Sequence, residues 1–100
     1  MTDSTHAEPR RLHAIVYGRV QGVNFRSATQ HTAVQHGLTG WVRNRWDDTV
    51  ELTAEGGRDQ LERLLSFIHR GPRAAFVTQV KTDWQPASGE FKDFRVYPTA

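Results

Sequence analysis

The sequence predicts an α+β domain built as a two-layer sandwich, with two helices on one face of a mainly antiparallel sheet. Three observations predict it. Residues Thr49 to Glu55 (TVELTAE) alternate strictly, so Val50, Leu52 and Ala54 share one face and Glu51, Thr53 and Glu55 the other. Leu61, Leu64, Leu65 and Ile68 recur at i, i+3, i+4 and i+7, the stripe of an amphipathic helix. Strand-like and helix-like segments follow as β-α-β-β-α-β with a short extra C-terminal strand, an order that one two-layer core satisfies.

Each element has its own local reason. Leu12 to Tyr17 (LHAIVY) is short, apolar and β-rich, and glycine follows it, which predicts a central strand. A helical stripe begins at Phe25 and continues through Ala28, Thr32 and Ala33, stopping before Gly37; Asn24 stands ahead of it as a good N-cap type. Leu38 to Asn44 reads as the second strand, RWDD as a turn, and Thr49 to Glu55 as the third. Asp59 and Glu62 are spaced for a variant of the capping box at the second helix, and Gly71-Pro72 ends it. Residues 74–84 (AAFVTQVKTDW) predict a fourth strand, residues 86–93 a surface loop, and Phe94 to Pro98 the short last strand. This arrangement is a ferredoxin-like βαββαβ sandwich, an architecture that does not determine a function.

One hundred residues make one domain the natural expectation, able to bury roughly 60–65% of its unfolded surface. Residues 1–11 (MTDSTHAEPRR) lack the apolar segment of a secretory signal and are expected to form a flexible N-terminal arm, leaving 12–100 as the domain. No apolar run approaches the ~20 residues of a membrane span, so no membrane association is expected. The absence of cysteine excludes disulfides, iron–sulfur clusters and thiol catalysis, and fits a cytoplasmic, reducing location. The net charge of +2 does not by itself argue for nucleic acid. Arginine placement says more: Arg19, Arg26, Arg43 and Arg45 lie near the ends of two predicted strands, where they can create a positive field for small anions.

The stretch GRVQGVNFR, Gly18 to Arg26, breaks a local rule. It puts a cation in the first turn of a helix, beside the positive end of the macrodipole, at a cost of roughly 0.3–1 kcal/mol. A bound anion resolves the conflict. Glycines let a loop curl until successive N–H groups converge, helix-terminal N–H groups add to them, and a guanidinium supplies paired bonds to phosphate or carboxylate. The spacing is neither a Walker A loop nor G-x-G-x-x-G, and on physical grounds alone an ordinary tight turn with a solvated arginine fits as well. Asn44, at a strand end before a turn, has a purely conformational reading too. In a ferredoxin-like sheet, however, the end of the second strand lies across the same sheet end as the loop after the first, where a neutral amide can hold a water.

With GLTGWVRN, TVELTAEG and GPRAAFV following in order, the chain resembles the acylphosphatase family over roughly Leu12 to Tyr97. The resemblance implies hydrolysis of acyl phosphates to carboxylate and phosphate without metal or organic cofactor. Arg26 then binds the substrate phosphate together with the backbone amides of Gln21, Gly22, Val23, Asn24, Phe25 and Arg26, and Asn44 positions the attacking water. The expected partner is a small acyl phosphate, and the expected state a monomer. Asp48 stands where the family's turn usually has glycine, and tolerates the left-handed region less well. The same module occurs as one domain of larger maturation proteins, an attachment not expected here.

Other constellations carry less. His31 and His36 are about 140° apart on a helix and no HExxH is present, so solvated histidines are expected rather than metal ligands. Ser27 and His31 lack an orienting carboxylate for a triad. Glu51 and Glu55 share a strand face that alternation makes the solvated one. Trp41, Trp46 and Trp84 raise the rival of an RNA-binding domain, but two acids on the outward face of the third strand repel a nucleic-acid backbone, and core packing or sheet cover is expected for the tryptophans.

Overall fold

In the computed structural model, which describes residues 8–100, the period-two apolar pattern builds a sheet and the 3.6-residue pattern builds its cover. The elements are β1 (Arg10–Arg19), α1 (Phe25–Gln35), β2 (Thr39–Asn44), β3 (Val50–Gly56), α2 (Arg58–Arg70), β4 (Phe76–Pro86) and β5 (Phe94–Val96). Sheet order is β4-β1-β3-β2-β5, antiparallel throughout except for the parallel β2–β5 edge pair. Helix α1 packs over β2 and β5, α2 over β4 and β1, and the helices touch each other. This is the expected ferredoxin-like sandwich.

The core lies between the layers. Leu12, Ala14 and Val16 of β1 and Val50, Leu52 and Ala54 of β3 are fully buried, as alternation requires. Leu61, Leu64 and Ile68 of α2 meet them, each large side chain contributing about 1.5–3 kcal/mol by leaving water. On α1 the buried face is Phe25, Thr29 and Ala33, not the expected stripe through Ala28 and Thr32, which are half-buried. Phe25 and Ala33 set the angle, and Thr29 is carried inward at i+4 with its hydroxyl unpaired.

Five local expectations are corrected. Strand β1 begins at Arg10, so Arg10 and Arg11 belong to the sheet; residues 1–7 of the expected arm lie outside the described region. The strand also runs past Tyr17, so Gly18 serves β1 and not the loop. Its φ is +125°, and a Cβ would sit 2.1 Å from the Phe76 carbonyl oxygen at the β1–β4 register shift. Helix α2 has Gly57 at its N-cap with no side-chain cap; Glu62 pairs instead with Arg58 at 3.0 Å, and Asp59 serves only the dipole. The face carrying Glu51, Thr53 and Glu55 is not solvated: Thr53 and Glu55 are 4% exposed. Finally, Trp46 is 82% exposed and covers nothing, whereas Trp41 stacks on Tyr97 and Trp84 lies against the core under Arg58.

Polar partners explain why that face can be buried. The Glu55 carboxylate accepts from Arg11 Nε at 2.6 Å, from Ser88 N and Oγ at 2.8 and 2.9 Å, and from Gly89 N at 2.9 Å. Burial alone pushes this carboxyl up, but those donors outweigh it and hold it below the ordinary value. Glu51 is treated the same way: burial raises it, while His13 Nε2 at 2.7 Å and Arg43 Nε at 3.0 Å bring it down. Among the described residues, no helix is long and apolar enough to cross a membrane.

Candidate active site

Sheet order decides which loops meet. Strands β1 and β2 both run antiparallel to β3, so they point the same way and end at the same sheet edge. Register makes this concrete: Val50 of β3 pairs with Val16 on one side and Asn44 on the other. Two strand spacings, about 10 Å, therefore separate the end of β2 from β1 as it feeds the loop into α1.

That loop is a cradle. Gly22 has φ +74° and Asn24 φ +67°, while Val23 between them keeps a negative φ. Alternation of hand is the backbone pattern by which successive N–H groups can converge on one point. At Gly22 a Cβ would meet nothing within 4 Å, so the left-handed backbone, not crowding, is what requires glycine there. The first helical bond of α1 is Ala28 N–H to the Asn24 carbonyl at 3.1 Å, which leaves the N–H groups of Phe25, Arg26 and Ser27 without helical acceptors. Asn24 was expected to cap them with its side chain; it makes no such bond. In the left-handed conformation it shapes the cradle instead, and the first-turn donors stay open to an anion. No acidic side chain stands in that turn to compete.

An open cleft of about 210 Å³ sits over these groups, lined by Gly22, Asn24, Phe25 and Arg26 of the expected cradle and by Asn44 from β2. The structure thus brings Arg26 and Asn44 to one cavity, several water volumes in size. Two cradle residues do not line it with their side chains. Val23 packs on the core, and Gln21 reaches the β2–β3 turn, its Nε2 donating to the Arg45 and Thr49 carbonyls at 2.8 Å each. The broader arginine field is narrowed: Arg43 is paired with Glu51 at 2.8 Å and Arg45 lies 3.8 Å from Asp47. Arg26 is the arginine that lines the cleft.

Asn44 Oδ1 is buried and accepts no hydrogen bond from the protein, an arrangement that costs about 1–3 kcal/mol unless a donor arrives. Its backbone is held on both sides, by β3 and by the C-terminal residues, where Ala100 N–H donates to the Asn44 carbonyl at 3.1 Å. Asp48, at φ +72°, does adopt the left-handed conformation in the turn, and Asp47 stabilises that turn by accepting from Thr49 Oγ1 and N at 2.6 and 3.2 Å. The Thr49 hydroxyl and amide hold the Asp47 carboxyl below its ordinary value.

Sequence reasoning missed Gln30 and Val96. Gln30 lines the cleft and its Nε2 donates to the Phe94 carbonyl at 2.8 Å, joining α1 to β5. Its position four residues after Arg26, on the same helix face, was an available signal. Val96 reaches the cleft only because β5 adds in parallel beside β2, which no local pattern encodes. Among the described residues, no three His, Asp or Glu side chains converge as metal ligands would.

Fold and cleft together define a small α+β domain with an open cleft over a helix N-terminus at one end of its sheet. The sequence profile of acylphosphatase matches residues 12–96. An acylphosphatase of Pelotomaculum thermopropionicum is 48% identical over 86 residues, 86% of this chain and 94% of the relative. The structure of an acylphosphatase from Coxiella burnetii superposes with a TM-score of 0.84 at 37% identity, covering 90% of this chain and 94% of that one. The crystal structure of acylphosphatase from Bacillus subtilis gives a TM-score of 0.85 at 33% identity, over 88% and 98%. The chain belongs to the acylphosphatase family, enzymes of the acylphosphate phosphohydrolase type.

Proposed function

We propose that this chain hydrolyses the carboxyl–phosphate bond of small acyl phosphates by in-line attack of a water held by Asn44 on a phosphoryl group held by Arg26 and the amides of residues 21–26. The observation that carries the reading is that Arg26 and Asn44 line one cavity, with Asn44 Oδ1 lacking any donor from the protein. An acceptor in that position takes a hydrogen bond from water and leaves a water lone pair free to face phosphorus.

The chemistry suits the groups present. The reaction is R–CO–O–PO₃²⁻ + H₂O → R–COO⁻ + H₂PO₄⁻: the new bond is water oxygen to phosphorus, the broken one phosphorus to acyl oxygen, and both water hydrogens end on phosphate. The leaving carboxylate has a conjugate acid of pKa about 4, so it departs without a general acid. A loose transition state places charge on the three equatorial oxygens, where Arg26 and convergent N–H groups stabilise it. No step calls for a metal or an organic cofactor.

The proposal takes the enzyme as a cytoplasmic monomer, since a chain without cysteine loses nothing in a reducing compartment and one chain carries both Arg26 and Asn44. Nucleic acid is not part of it: Trp41 is occupied by Tyr97 at 5.8 Å and by the Arg43 guanidinium at 4.8 Å. The test is hydrolysis of an aryl acyl phosphate in EDTA by wild type, Arg26→Ala and Asn44→Ala. Arg26→Ala is expected to lose nearly all turnover, and Asn44→Ala about 10²–10³-fold in kcat with phosphate inhibition kept. Loss of activity to the chelator, or an Asn44→Ala enzyme with normal kcat, overturns the mechanism.

A further inference from the structure

We propose that the Gln21 side chain is a positioning residue that sets where Asn44 stands relative to the phosphoryl cradle. The inference rests on the water-positioning reading of Asn44. Both hydrogens of the Gln21 amide are used, one on the Arg45 carbonyl and one on the Thr49 carbonyl, each at 2.8 Å. Those carbonyls are the two ends of the turn that closes β2 onto β3, and Arg45 is the residue after Asn44. Each already has a partner within the turn: Arg45 N–H donates to the Thr49 carbonyl at 2.9 Å, and Asp48 N–H to the Arg45 carbonyl at 3.2 Å. Gln21 occupies the remaining lone pairs.

The other restraints on Asn44 do not refer to the cradle. Pairing with Val50 and the bond from Ala100 N–H place the Asn44 backbone along the sheet edge. The cradle leaves the sheet after Arg19. Gln21 belongs to the cradle through its main chain and to the turn through its side chain, so it ties the phosphoryl site directly to the segment carrying the water-holding amide. Misplacing a reacting group by about 1 Å costs on the order of 10²-fold in rate, which makes such a tie kinetically visible.

Gln21→Met tests it, because methionine keeps the length, removes both donors, and leaves the turn its own two bonds. The expected result is kcat lower by about 10–100-fold, with competitive inhibition by inorganic phosphate changed by no more than about twofold. In an Asn44→Ala background the same substitution is expected to lower kcat by no more than about twofold, since residues acting through one another are not additive. A near-wild-type kcat, a full second loss in the Asn44→Ala background, or phosphate inhibition weakening in step with kcat overturns the proposal. Asn44→Ala losing kcat without coupling to Gln21→Met sinks the tie alone; Asn44→Ala with normal kcat sinks the water-positioning reading and the tie with it. Should Gln21→Met fail to unfold cooperatively, Gln21→Glu serves. Its protonated carboxyl donates one of the two bonds and its carboxylate none, so its kcat relative to wild type rises below about pH 5 if the tie holds; no rise, or a rise of equal size in the Asn44→Ala background, which comes from the charge beside the phosphoryl site alone, overturns it.

Discussion

Replacing Glu55 by glutamine isolates the contribution of one buried charge far from the cleft. Glu55 pairs with Arg11 and Thr39 at the opposite end of the strands from Asn44, so turnover is expected to be unchanged below the unfolding temperature. The carboxylate receives four donors, three on Oε2 and one, from Gly89 N, on Oε1. Glutamine keeps an acceptor for the larger set and aims an NH₂ at Gly89 N–H. One buried donor pair left facing costs about 1–3 kcal/mol, and loss of charge assistance on the other bonds about 1 kcal/mol more, for a total near 3 kcal/mol. For a domain of this size that is about 12–24 °C in Tm. The folded Glu55 carboxyl lies below its unfolded value of 4.5, so its contribution is complete above about pH 4.5 and is lost as pH falls through the folded value. Thermal unfolding followed by circular dichroism from pH 7 to pH 3 should show a wide gap between wild type and variant that closes on acidification. A gap under 3 °C at pH 7, or one of equal width at pH 3, refutes the reasoning.

Gly18→Ala places a Cβ 2.1 Å from the Phe76 carbonyl oxygen at φ +125°, and should cost about 3 kcal/mol in denaturant unfolding. Asn24→Gly should leave phosphate inhibition unchanged, because glycine takes the left-handed conformation freely, whereas Asn24→Val should weaken it about tenfold by flattening the cradle. Asp48→Gly relieves a left-handed residue in the turn at φ +72° and should raise stability by about 0.5 kcal/mol, read as a small upward shift in Tm with kcat within about twofold.

Glu55 also shows where one-dimensional reading stops. Alternation assigns it correctly to the face opposite Leu52 and Ala54. It then implies water on that face, because the charges that satisfy a buried carboxylate come from Arg11, Ser88 and Gly89, which are remote in sequence. The fault at Asn24 has the same origin. Residue type suggests a cap, but Asn24 takes the left-handed backbone and its side chain makes no capping bond, and a dihedral is not written in residue type. For α2, the buried stripe was legible and its cap was not, since stripe position follows from periodicity whereas Gly57 enters from β3 in an extended conformation that no spacing rule anticipates.

The order of elements, the inward faces of β3 and α2, the loop at Gly22 and the misplaced cation at Arg26 follow from the chain alone, because periodicity and local electrostatics act between residues a few positions apart. Tertiary structure decided the rest: that Val50 stands between β1 and Asn44, that Arg26 and Asn44 line one cleft, and that Gln21 spans from loop to turn. These depend on strand order and register, which bring distant segments within hydrogen-bonding reach, and such proximity exists only after the sheet has formed.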